Sequence, residues 1–160
     1  MNQQKVKLPG FSLGYVIYDI VMCSIFLLIT ICGFAMLMIF QDNAEFRREL
    51  GQDINAFLYI LLFAGVLNFL TALIADIMIL AKKRIGVTIA YVSFVITAIH
   101  IILSLLDALV LKDSGNNIEQ VGHTIGASIG VFLRVAHLVI YIIAVKKASS
   151  VLKPQQFGFN

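Results

Sequence analysis

The chain reads as an all-α integral membrane protein, a four-transmembrane-helix antiparallel bundle with short loops. Three observations lead there. The sequence is 60% hydrophobic and 13% charged, with a mean hydropathy of +0.95, against about 45–50% and about 25% for ordinary soluble domains. Four apolar runs each exceed the roughly 20 residues that cross a bilayer as helix. Basic residues collect at alternate ends of those runs, as topology signals do. The four runs take up nearly all of the 160 residues, so the chain reads as one domain over 1–160, with any function in its helices or very short loops.

The first span covers about 12–40 and follows a polar lead that ends in Pro9-Gly10, where proline suits a first helical turn. It is too long for the 7–15-residue core of a secretory signal, and no small-residue cleavage site closes it. It is expected to stay as an uncleaved anchor. Cys23 and Cys32 lie nine positions apart in this span, about 13 Å along a helix and beyond the roughly 7 Å that a disulfide bridges. They are expected to be free thiols. The charged loop that follows, 41–55, reads as a solvated turn.

The second span covers about 56–81 and stops at Lys82-Lys83-Arg84. The third, about 85–111, starts at once, so the two must be antiparallel neighbours. After Asp113-Ser114-Gly115-Asn116-Asn117, a run of turn chemistry with an Asn cap, the fourth span covers about 118–148. Lysines and arginines number eight on the side of the two chain ends and the 82–84 turn, and three in the opposite loops. Both termini are therefore expected to be cytoplasmic, which an even number of spans also permits.

Without a hydrophobic drive between helices in lipid, small and weakly polar residues mark the packing faces. The fourth span carries Gly122, Gly126 and Gly130 at four-residue spacing, and it reads as the helix on which the others pack. The third span carries Gly86, Ala90, Ser93, Thr97, His100, Ser104 and Asp107 on a heptad seam. Folding the third and fourth spans about Gly115 sets Thr97 level with Arg134, Ala90 with Tyr141, and Asp107 with His123 as an outer pair. The same arithmetic brings Asp19 and Asp76 to the depth of Tyr141, within reach of a snorkelling Arg134. The expected intramembrane polar cluster is Asp19, Asp76, Arg134, His137 and Tyr141.

Charged groups within a span cost about 2.5–3.5 kcal/mol each near the bilayer centre, so they mark either a function or helix-to-helix glue. Two readings follow. One is a non-enzymatic four-span protein acting through helix association, as an accessory subunit or homo-oligomer; the other is a small proton-linked transporter or channel built on the Asp/Arg/His cluster. The chain lacks HExxH, CxxC, GxSxG and phosphate-loop patterns, so no enzyme, cofactor or metal is expected. The basic residues are few and juxtamembrane, which excludes a nucleic-acid partner. The expected partners are the lipid bilayer and another membrane protein or a second copy. Localisation is expected in a bacterial inner membrane or a eukaryotic plasma or internal membrane. In outline the layout resembles small bacterial inner-membrane proteins and MARVEL-type four-span proteins, and no functional residue carries over from either.

Overall fold

In the computed structural model, which describes residues 7–40, 42–43, 56–110 and 117–152, with side chains at 7–40, 42–43, 57–106, 126 and 128–152, the chain forms four helices. They are α1 (Gly10–Phe40), α2 (Ala56–Leu80), α3 (Ile85–Val110) and α4 (Asn117–Val151). Each is long and apolar enough to cross a membrane. A helix satisfies its backbone polar groups within one segment, which any apolar run of this length would need in order to cross a bilayer. They pack in sequence as a ring, α1 on α2, α2 on α3, α3 on α4 and α4 back on α1.

The tightest joint is the turn between α2 and α3. Lys83 donates its N–H to the Met78 carbonyl and Lys82 to that of Ile79, both at 2.9 Å, the pair of bonds that closes a helix in a Schellman motif. Lys82 occupies the left-handed position that the motif requires, with φ 58°. Four residues further on, Gly86 lies against the backbone of α2: a Cβ there would stand 2.7 Å from the Ile79 nitrogen and 2.9 Å from the Ala75 carbonyl oxygen. Only a glycine lets the chain turn back this sharply with the helices so close.

The bundle is packed unevenly along its length. Val16, Ala75, Ile79, Val87, Ala90, Tyr141, Val145, Ala148 and Leu152 form one buried cluster, all in the half next to the chain ends and the α2–α3 turn. There Ser12 donates to the Ala144 carbonyl at 2.9 Å, and Lys147 sits 4.8 Å over the ring of Phe11. Toward the other end, Ile129, Phe132 and Leu133 on α4 are exposed.

This corrects two expectations. α4 is not the helix on which the others pack. Gly126 is exposed, and nothing stands within 4 Å of a Cβ built at Gly126 or Gly130; glycines make room for a close neighbour, but only a short connection, as at Gly86, forces one upon them. The register of α3 on α4 is also displaced. Arg134 meets Ser104, roughly two turns beyond Thr97, while Tyr141 packs on the Phe94 ring and shares one buried cluster with Ala90. The α3 seam is nonetheless inward-facing, with Gly86, Ala90, Ser93 and His100 buried and Thr97 and Ser104 half-buried. It serves α2 as much as α4: Thr97 donates to Asn68 Oδ1 at 2.6 Å. Gly122, Asp107 and His123 lie outside the described side chains.

Candidate functional site

The buried half of the bundle is apolar except for a compact polar group. Asp19 on α1 and Asp76 on α2 are both fully buried. On α1, Ser12, Tyr15, Asp19 and Cys23 recur at helical spacing and so share one face, which looks toward α4. On α4, His137 and Tyr141 are one turn apart and look back.

Asp19 Oδ1 lies 2.9 Å from His137 Nε2 and also receives the Cys23 thiol at 3.7 Å. Asp76 Oδ1 accepts the Tyr141 hydroxyl at 2.8 Å. The two aspartates interact carboxyl to carboxyl, and the Oδ2 atom of each has no donor. Buried polar atoms are rarely left so, because an unmade hydrogen bond costs about 1–3 kcal/mol. A proton bound at one of these oxygens would make it a donor and leave a single negative charge on the pair. It would also remove the repulsion of two like charges in a dry interior, which cannot both persist at close range.

His137 is held at both ring nitrogens. Its Nδ1 lies 2.7 Å from the Tyr15 hydroxyl, and the same hydroxyl is 3.1 Å from the His137 carbonyl oxygen. Neutral histidine with its hydrogen on Nε2 gives that hydrogen to Asp19 and accepts from Tyr15. Charged histidine donates from both nitrogens, and Tyr15 turns its hydrogen to the carbonyl instead. Both charge states are thus fully hydrogen-bonded. The rings of Tyr15, His137 and Tyr141 stack beside one another, with centroids 5.7 to 6.3 Å apart.

Beyond this group lies a cavity of about 470 Å³ among all four helices. Asp19, His137 and Tyr141 stand at one end of its lining, and Asn68, Ser93, Thr97, His100 and Arg134 complete the polar part. Met22, Phe26, Phe69, Ile101, Leu133 and Leu138 supply an apolar wall. Ser93 is fully buried and its hydroxyl has no partner. Gly65 keeps its stretch of α2 close to the His100 ring, which is 3.5 Å from a Cβ built there.

Of the residues expected to cluster, Asp19, Asp76, His137 and Tyr141 are in mutual contact. Arg134 is not with them. Its Nη1 donates to Ser104 Oγ at 2.8 Å, and among the described residues it forms no ion pair; that of Asp19 is with His137. The displaced register is the cause, since it carries the guanidinium toward the far end of the cavity. Tyr15, Tyr18, Cys23, Asn68 and Phe69 belong to the site and were not anticipated. For Tyr15 and Cys23 a signal existed in their spacing from Asp19. Among the described residues no group of three or more His, Cys, Asp or Glu is placed to hold a metal.

The polar groups form a track along the bundle axis: Asp76 and Tyr141, then Asp19, His137 and Tyr15, then Asn68, Ser93 and Thr97, then His100, Arg134 and Ser104. Along α4 alone, Tyr141 to Arg134 is roughly 10 Å of helix. Comparison with family models, curated proteins and solved structures found no match to this chain.

Proposed function

We propose that the chain is a small membrane-inserted, non-enzymatic protein with both termini cytoplasmic that moves protons, alone or with a solute, through the Asp19–Asp76–His137 group. The observation that carries this reading is the pair of fully buried aspartates, each with one oxygen lacking a donor, beside a histidine hydrogen-bonded in either charge state. Ionisable side chains inside a span are expensive to keep, and chains of Asp and His are the usual means of passing protons in pumps and transporters. The groups facing the pair are Tyr15, Tyr18 and Cys23 from α1 and His137 and Tyr141 from α4. On α3, Phe94 packs edge-on against the Tyr141 ring. An apolar cavity with a few convergent polar groups is also the usual form of a small-molecule site.

Reconstitution in liposomes carrying an internal pH-sensitive dye tests the reading. Wild-type protein is expected to dissipate an imposed pH difference, alone or on addition of a co-transported solute. Asp76→Asn and Asp19→Asn are expected to lower the rate at least about tenfold, the usual contribution of a positioned proton carrier being 10²–10⁴-fold. Rates unchanged in both variants would refute it.

The open strip at Gly126 and Gly130, with exposed Ile129, Phe132 and Leu133 nearby, favours a second role in association with a further helix, from another protein or a second copy. Native mass measurement in mild detergent tests it. A monomer at every concentration would count against a homo-oligomer.

A further inference from the structure

Asp19 in the cavity lining and Asp76 behind it have partners, whereas among the described residues no acid is paired with Arg134. Asp19 is joined to His137 and Cys23, and Asp76 to Tyr141. A guanidinium carries five N–H donors in a planar fork. Arg134 uses one on Ser104, and no acidic side chain pairs with it among the described residues. A charge at this depth needs either a counter-ion or water, and the wall beside it is made of Phe26, Ile101, Leu133 and Leu138. Ser93, fully buried with an unpartnered hydroxyl, offers a second polar contact on the same lining.

We propose that this cavity binds an amphipathic organic monoanion, its head on Arg134 and its apolar body against the α1, α3 and α4 wall. The planar fork matches a carboxylate or phosphate bidentately, which a point-charge lysine does less well. Charge balance also favours an anion. With one proton on the aspartate pair and His137 neutral, the lining carries one negative charge at the pair and one positive charge at Arg134. A second proton taken up by the Asp–His group leaves a net positive charge, and an anion arriving with that proton restores neutrality. Exposed Tyr18 and Leu133 lie on the rim between α1 and α4, so an apolar body can enter from the lipid side. The head could belong to a free carboxylate or to an anionic lipid, which share this chemistry.

The proposal deepens the proton-linked reading, and the two can fail separately. Titration of octanoate into protein held in zwitterionic lipid nanodiscs is expected to show saturable binding, at least about tenfold weaker in Arg134→Gln and intermediate in Arg134→Lys, with thermal unfolding confirming that both variants fold. Octylamine, equal in length and opposite in charge, is expected not to compete. If anionic phospholipid displaces octanoate, the natural head is a lipid's; if it leaves the binding unchanged, the head is a free carboxylate, and either outcome supports the proposal. Octanoate binding equally well to Arg134→Gln, displacement by octylamine, or no effect of either octanoate or anionic lipid would overturn it. Asp76→Asn separates the readings. If it and Asp19→Asn both leave proton flux untouched while Arg134→Gln still loses octanoate, the anion site stands and the proton role falls.

Discussion

Replacing Gly86 with alanine adds one methyl group at the tightest point of the bundle. The new Cβ would stand 2.7 Å from the Ile79 nitrogen, 2.8 Å from Met78 Cβ and 2.9 Å from the Ala75 oxygen, where ordinary contact begins at 3.4 Å. α3 would have to withdraw by about 0.7 Å, the gap between the first and last of those distances, because two of the three atoms are backbone and cannot rotate away. Overpacking of this kind costs about 1–3 kcal/mol. The gain in helix propensity from glycine to alanine, at most about 1 kcal/mol in a helix interior, is smaller here, one residue into α3. The expected balance is a loss of about 1–2 kcal/mol. Gly33→Ala is the control, because the same methyl at Gly33 meets nothing within 4 Å in the interior of α1, and it should leave stability unchanged or raise it by up to about 1 kcal/mol. Both are read by reversible unfolding in mixed micelles with increasing denaturing detergent. Equal stability of Gly86→Ala and wild type would show that α2 and α3 are not in close backbone contact, and the placement of Asp76, which lies between Ala75 and Met78, would lose its support.

Two further outcomes follow from the same geometry. Lys82→Gly should raise stability by up to about 1 kcal/mol in that unfolding assay, because Lys82 holds a left-handed backbone that costs a side-chain-bearing residue roughly 1–2 kcal/mol; Lys82→Ala, still bearing a Cβ, should give no such gain. Tyr15→Phe removes the hydroxyl that serves His137 Nδ1, so it should cost about 1 kcal/mol of stability and lower proton flux in liposomes, and unchanged flux would place Tyr15 outside the proton path.

Much of the architecture could be read from the sequence because hydropathy and charge act locally. The four spans fall within three residues of the observed helices at every end, and the short turn at Lys82 was apparent from three basic residues against two apolar runs. The inward α3 seam was legible for the same reason, since a heptad pattern states which side of a helix is polar. What helix meets that side is another matter. The pattern points the seam at α4, yet it serves α2 as much, and the mutual register of α3 and α4 is displaced. Folding about a turn assumes that two helices keep one register along their whole length, whereas Arg134 reaches Ser104, roughly two turns from Thr97. Asp19, Asp76, His137 and Tyr141 share one depth, and the structure brings Asp19 to His137 and Asp76 to Tyr141. The spacing of Tyr15 from Asp19 puts both on one face of α1, but the bond of Tyr15 to His137 depends on the approach of α1 and α4, which no local pattern encodes.

The hydroxyl of Tyr15 has one hydrogen and two acceptors within reach, the ring nitrogen and the carbonyl oxygen of the same histidine. Gain or loss of a proton at His137 can therefore be absorbed by rotation about a single C–O bond, with no helix, ring or backbone obliged to move. Two structures determined on either side of that event would superimpose atom for atom, differing in hydrogens alone. The charge state of the bundle is then a property for vibrational or magnetic-resonance spectroscopy of His137 and Tyr15 to read, and comparison of heavy-atom coordinates would miss it.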